Sequence, residues 1–160
     1  MTPRFCLLTE KKLIGKRQKM SISNDMTFEL WRKFMPERGK IRNVISNEFY
    51  SMQVYSPEFN FNAFDPDAEF EKWAAMEVAD FENIPAGMNP FVLKGGLYAV
   101  FVHKGPASSG EKTFRYIFGI WLPASEYVID DRPHFEILGE KYKHDDPDSE
   151  EEVWIPVKHK

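Results

Sequence analysis

Chemistry is most legible near the end of the chain, where Glu152-Val-Trp-Ile-Pro-Val157 reads as a strand. Alternation puts Glu152, Trp154 and Pro156 on one face and Val153, Ile155 and Val157 on the other. The aliphatic face must seek the core, so the opposite face presents a carboxylate beside an indole. A carboxylate partly buried among rings is costly unless a positive charge compensates it. A cationic ligand would do so, and each cation–π contact adds roughly 0.5–2 kcal/mol. The same carboxylate, with its pKa raised by burial, could instead act as a general base on water. Ligand binding and hydrolysis both stay open at Glu152. The plainer alternative is that Glu150, Glu151 and Glu152 form a solvated acidic approach to a strand.

Other residues could complete an aromatic site. Glu71 and Trp73 repeat the Glu-x-Trp spacing earlier in the chain. Tyr98 and Phe101 lie on opposite faces of one strand, and Tyr98 is favoured because its hydroxyl could orient a ligand at a wet pocket edge. Phe118, Trp121 and Trp31 fall on helical stripes and serve either core or cage. Tyr127 could close the pocket. No metal or cofactor is expected: His103, His134, His144 and His159 lack ligand spacing, and one cysteine makes no zinc site. Gly95-Gly96 precedes a strand rather than a helix, unlike a phosphate loop.

These residues need elements to hold them. Phe5 to Ser23 reads as one long or interrupted strand with Gly15 as a bulge. Phe28, Trp31, Phe34 and Met35 recur at helical spacing behind a cap at Asn24 or Asp25, and Pro36 ends the run. Phe49 to Tyr55 and Glu69 to Asp80 read as strands, with residues 56–67 a loop between them. Ile84 to Pro90 is a turn-rich bridge, and Leu97 to His103 is a central strand. Ser108 and Glu111 have capping-box spacing before Phe114, Ile117, Phe118, Trp121 and Leu122, the clearest helix. Arg132 to Tyr142 and Glu152 to Val157 complete the strands, with Pro156 expected at an edge or a strand end.

Both halves run strand, helix, strand, strand. The Thr27-Phe28 and Thr113-Phe114 pairs stand 86 residues apart, and the two Glu-x-Trp pairs 81 apart. The pattern predicts an internal duplication over about 5–81 and 95–158 within one domain spanning 1–160. The fold class is α+β: an antiparallel sheet with two helices on one side and a ligand cleft between the halves.

Composition narrows the function. The chain has 160 residues, enough for a sizeable core, and 15% of them are aromatic, including four Trp. A single cysteine, Cys6, agrees with a reducing, cytoplasmic location. The net charge of −4, with acid gathered from Asp145 through Glu152, opposes direct nucleic-acid binding. No apolar run approaches the roughly 20 residues of a membrane span. The expected partner is a small molecule, a cationic aromatic one, with no direct nucleic acid and no membrane, and a protein partner or homodimer left open.

A family resemblance adds to this reading. It rests on Leu13-Ile14-Gly15-Lys16, on Gly96-Leu-Tyr-Ala-Val-Phe-Val-His-Lys-Gly-Pro106, on Phe114 through Tyr127, and above all on Asp146-Pro-Asp-Ser-Glu-Glu-Glu-Val-Trp-Ile-Pro-Val157. The chain resembles GyrI-like small-molecule-binding domains, which also serve as effector domains of AraC-type regulators. The resemblance implies a duplicated fold, a cleft between the halves, and varied ligands that are often cationic and aromatic. It also implies a glutamate on the last strand facing that cleft, which falls on Glu152. Some single-domain relatives sequester drugs or modulate gyrase, and others hydrolyse cyclopropane-bearing natural products. No DNA-binding helix-turn-helix fits within Met1 to Ser23, so DNA binding is not expected of this chain.

Overall fold

Alternation of side chains along the strands decides the layering. The computed structural model describes residues 1–63, 65–106, 109–139 and 146–160. Among the described residues the strands are β1 (Arg4–Leu8), β2 (Lys11–Met20), β3 (Phe49–Val54), β4 (Phe70–Val78), β5 (Asn89–Leu93), β6 (Gly96–Lys104), β7 (Tyr127–Ile129), β8 (His134–Leu138) and β9 (Glu150–His159). Helix α1 is Thr27–Phe34, continued by a 3-10 segment over Met35–Lys40. Helix α2 is Gly110–Tyr116 and runs into a π-helical turn, Ile117–Trp121, before a last turn, α3 (Leu122–Ala124).

The sheet is antiparallel in order β1-β6-β9-β8-β3-β4-β2-β5, with β7 pairing to β9 beyond the end of β8. Both helices lie on one face. Leu30 and Phe34 of α1 pack on Ile14, Ala74, Met76 and Val78, while Ile117 packs on Ala99, Phe101, Val153 and Ile155. The opposite face holds a third apolar cluster that includes Tyr50, Met52, Trp73, Tyr98, Phe135 and Trp154. On the helix face the two apolar patches do not meet. Between them the floor carries Ser51, Gln53, Lys72, His134 and Glu136, all buried and all polar.

Several expectations change. The N-terminal strand is two strands on different sides of the sheet, because β1 pairs with β6 whereas β2 pairs with β4 and β5. Gly15 is no bulge: it sits in register opposite Ala75 and Asn89. A Cβ there would lie 2.1 Å from the Ala74 carbonyl oxygen, so the close approach of β4 is what requires glycine. The bridge after Ile84 contains the unforeseen strand β5, and Tyr127 opens the unforeseen strand β7. Pro156 stands within an interior strand, paired with Tyr98 of β6. Its carbonyl accepts from the Asp130 amide at 3.0 Å, so its imino nitrogen also points away from the β6 ladder and costs no ladder bond there. The N-cap of α1 is Met26, which makes no side-chain cap bond, rather than Asn24 or Asp25; Asp25 accepts from the Thr27 amide at 2.9 Å in the turn before it. Ser108 and the acidic run at His144 and Asp145 lie outside the described residues.

Candidate functional site

The gap between the helix-face patches is a cleft of about 1210 Å³. Its floor is the polar strip on β3, β4 and β8: Gln53, Lys72, His134 and Glu136. One wall is α2 and its π-helical extension, through Phe114 and Phe118; the far rim is the approach to α1, through Ile22 and Thr27. The loop, described over residues 56–63 and 65–67, borders the top. Its Phe59 and Phe61 are half-buried and close on Tyr55 at 4.6 and 4.9 Å between ring centroids.

The rings are ordered. Phe61 stacks on His134 at 5.1 Å and faces Phe118 at 6.1 Å with the planes only 10° apart. Phe114 continues the series at 6.4 Å from Phe118, again nearly parallel at 11°. A run of parallel ring faces favours a flat or multi-ring guest, since offset stacking uses the faces that such rings present. The π-helical turn contributes here, because π turns are uncommon and concentrate at functional sites.

The charges favour a cation. Among the described lining residues Asp25, Glu58, Asp65, Glu69, Glu111 and Glu136 are acidic, against Lys72 and Arg115. Glu136 is buried, and desolvation pushes its carboxyl above the usual range, with the Lys72 charge and the Gln53 amide opposing the shift. Glu151 of β9 shares this face; burial, then the Glu136 charge, push it up to about 7. His134 goes the other way. Burial, then Arg132, hold its pKa down at about 3, so the ring is neutral.

Eight of the nine residues expected at the site therefore stand away from this cleft or contribute to it only through packing. Glu152, Trp154, Tyr98, Trp73 and Glu71 share the opposite face of the sheet. There the Trp154 indole donates to Glu152 at 3.1 Å and the Trp73 indole to Glu71 at 2.7 Å. Arg4 ion-pairs with Glu152 at 2.7 Å and lies 5.8 Å from the Trp154 ring; Arg17 repeats the arrangement at Glu71 and Trp73, at 3.8 and 6.0 Å. Tyr98 is not at a wet edge: it is fully buried, and its hydroxyl donates to the Pro133 carbonyl at 2.7 Å. Trp31 packs edge-on against Phe34 and Phe49 under α1. Trp121 packs edge-on against Phe101, and Tyr127 stacks on Trp121. Phe118 is the residue of the nine that lines the cleft.

Glu136, Lys72, Gln53, His134, Tyr55, Phe59 and Phe61 went unmarked in the sequence. A signal existed in His134-Phe-Glu-Ile-Leu138: once Phe135 and Ile137 face one core, His134 and Glu136 must face the other side of a central strand. A buried carboxylate in that position needs a reason.

The sequence model of the GyrI-like small molecule binding domain matches residues 1–158. The chain is 26% identical over 148 residues to the transcriptional regulator BrlR of Pseudomonas aeruginosa, covering 91% of this chain and 51% of BrlR. It thus spans about half the length of that curated relative. Its fold is similar to that of SAV2435 bound to tetraphenylphosphonium, with TM-score 0.75, 14% identity, and coverage of 99% of this chain and 94% of the other. It is similar also to the EcmrR C-terminal domain, with TM-score 0.68, 18% identity and full coverage of both chains.

Proposed function

The chain belongs to the GyrI-like small molecule binding domains, and on that premise we propose that it binds a cationic aromatic compound in the cleft between α1 and α2. The observation that carries this reading is the buried Glu136 on the floor of a cleft walled by parallel rings. Phe61, Phe118 and Phe114 take the flat faces of the ligand, and Glu136 faces its positive charge. The acids at the rim draw cations inward. In this role the domain senses or sequesters the compound, and no covalent step is required.

Equilibrium titration with tetraphenylphosphonium and with neutral tetraphenylsilane tests the reading. Saturable binding of the cation is expected, at least about tenfold tighter than the neutral compound, and Phe118→Ala should weaken it by about 1 kcal/mol through lost stacking. Equal binding of the two compounds, or none, would overturn it. Turnover of a strained electrophile at the same site would instead establish hydrolysis.

A further inference from the structure

The cleft floor holds a positive charge whose field reaches the acids Glu136 and Glu151, and a purely cationic ligand would add no counter-charge to it. Lys72 of β4 is only 8% exposed and lines the cleft. It makes no hydrogen bond or ion pair among the described residues. Glu136 is equally buried at 8%, and its hydrogen bond is a long one, 3.4 Å from the Gln53 amide.

Register explains why these opposite charges do not meet. Gln53 of β3 stands directly between Lys72 on one side and His134 on the other, and Glu136 lies opposite Ser51. Two strand spacings therefore separate β4 from β8, about 10 Å. Burying an ammonium or a carboxylate without a close partner is unfavourable, and here one of each opens onto the same cavity. A ligand carrying only a cation would satisfy Glu136 and be repelled by Lys72. A ligand carrying both signs would satisfy both.

His134 marks the same place independently. It is 4% exposed, its ring forms part of the stack, and its nitrogens have no hydrogen-bond partner among the described residues. A neutral imidazole offers one donor and one acceptor to a guest. Three buried polar side chains thus face one ring-lined space, and among the described residues Lys72 and His134 have no hydrogen-bond partner and Glu136 has only the long one from Gln53.

We propose that the cleft is built for an amphoteric aromatic ligand, with a cationic group set toward Glu136 and an anionic group set toward Lys72. This rests on the cleft-binding reading above and adds an anion subsite to it. Lys72 is a specificity-determining residue: it selects zwitterions over simple cations.

Fluorescence polarisation with rhodamine B, whose pendant carboxylate makes it zwitterionic, and with its ethyl ester, which keeps only the cation, tests the proposal. Wild type should bind the zwitterion at least about tenfold more tightly. Lys72→Met should abolish or invert that preference, while Lys72→Arg, which retains the charge, should keep it. Ester binding as tight as zwitterion binding in wild type, with Lys72→Met strengthening the ester, would overturn the anion subsite and leave the cleft reading standing. Saturable binding of neither dye would overturn both.

Discussion

At Glu152 both carboxylate oxygens are answered from within the chain, one by Arg4 at 2.7 Å and the other by the Trp154 indole at 3.1 Å. At Glu136 a single long amide contact stands against burial to 8% exposure. The first arrangement was visible as spacing, because a Glu-x-Trp pair on a strand shares one face. What acts on Glu136, the Gln53 amide on β3 and the more distant Lys72 charge on β4, comes from other strands, and no local spacing reveals it. Glu151 offers a test of the electrostatics on this face. Its pKa rises from the ordinary 4.5 to about 7 on folding, so between those values the folded state binds the proton that the unfolded state has released. Stability from this group is therefore present below about pH 4.5 and is lost as pH rises toward 7. Glu151→Gln removes that loss, and chemical denaturation should show the variant gaining stability relative to wild type across that window. His134, held neutral down to about 3, contributes the opposite slope below its ordinary 6.5, which is why the comparison must be variant against wild type.

Elements with strong periodicity were legible in the residues, and short ones were not. The stripe over Phe28 to Met35 gave α1, and Leu97 to His103 gave β6. Strand β5, Asn89–Leu93, hid inside a segment rich in Pro and Gly, and β7 spans only Tyr127–Ile129. Their pairing with β2 and β9 is tertiary in origin, which outweighs weak local preference. The second helix illustrates the same limit. Its apolar stripe was correct, yet the π-helical turn at Ile117–Trp121 turns Phe118 toward the cleft while Trp121 enters the core. Gly15 shows how tightly the elements meet. A Cβ would fall 2.6 Å from the Ala75 Cα as well as on the Ala74 carbonyl. Gly15→Ala should thus force β2 from β4 and cost about 3 kcal/mol. In a chain of this size that lowers Tm by about 6 to 12 °C, measurable by calorimetry. An unchanged Tm would mean that β2 is not held at this register.

Across the whole molecule the sheet order reads as a palindrome. β1, β6, β9 and β8 on one side correspond to β5, β2, β4 and β3 on the other. The Glu–Trp pairs occupy matching strands, β9 and β4, although their arginines come from the non-equivalent β1 and β2, and α1 and α2 cover matching patches. This is the order that an internal duplication, proposed over about 5–81 and 95–158, would give, with β1 paired to β6 of the second half. The symmetry accounts for the cleft. Each helix covers the outer strands of its own half, so the junction of β3 and β8 is left open on the helix face, and the polar strip and rings line it. A cleft between the halves was expected; the proposed function sets Glu136 rather than Glu152 as its acid, because the helices cover the face that Glu136 shares. The most direct test is calorimetric titration of tetraphenylphosphonium into wild type, Glu136→Gln and Glu152→Gln. Glu136→Gln should weaken binding by about 1.5–3 kcal/mol, the worth of a lost charge-assisted contact, with Glu152→Gln within a factor of two of wild type. Weakening in Glu152→Gln with Glu136→Gln unaffected would contradict the account and move the site to the opposite face of the sheet.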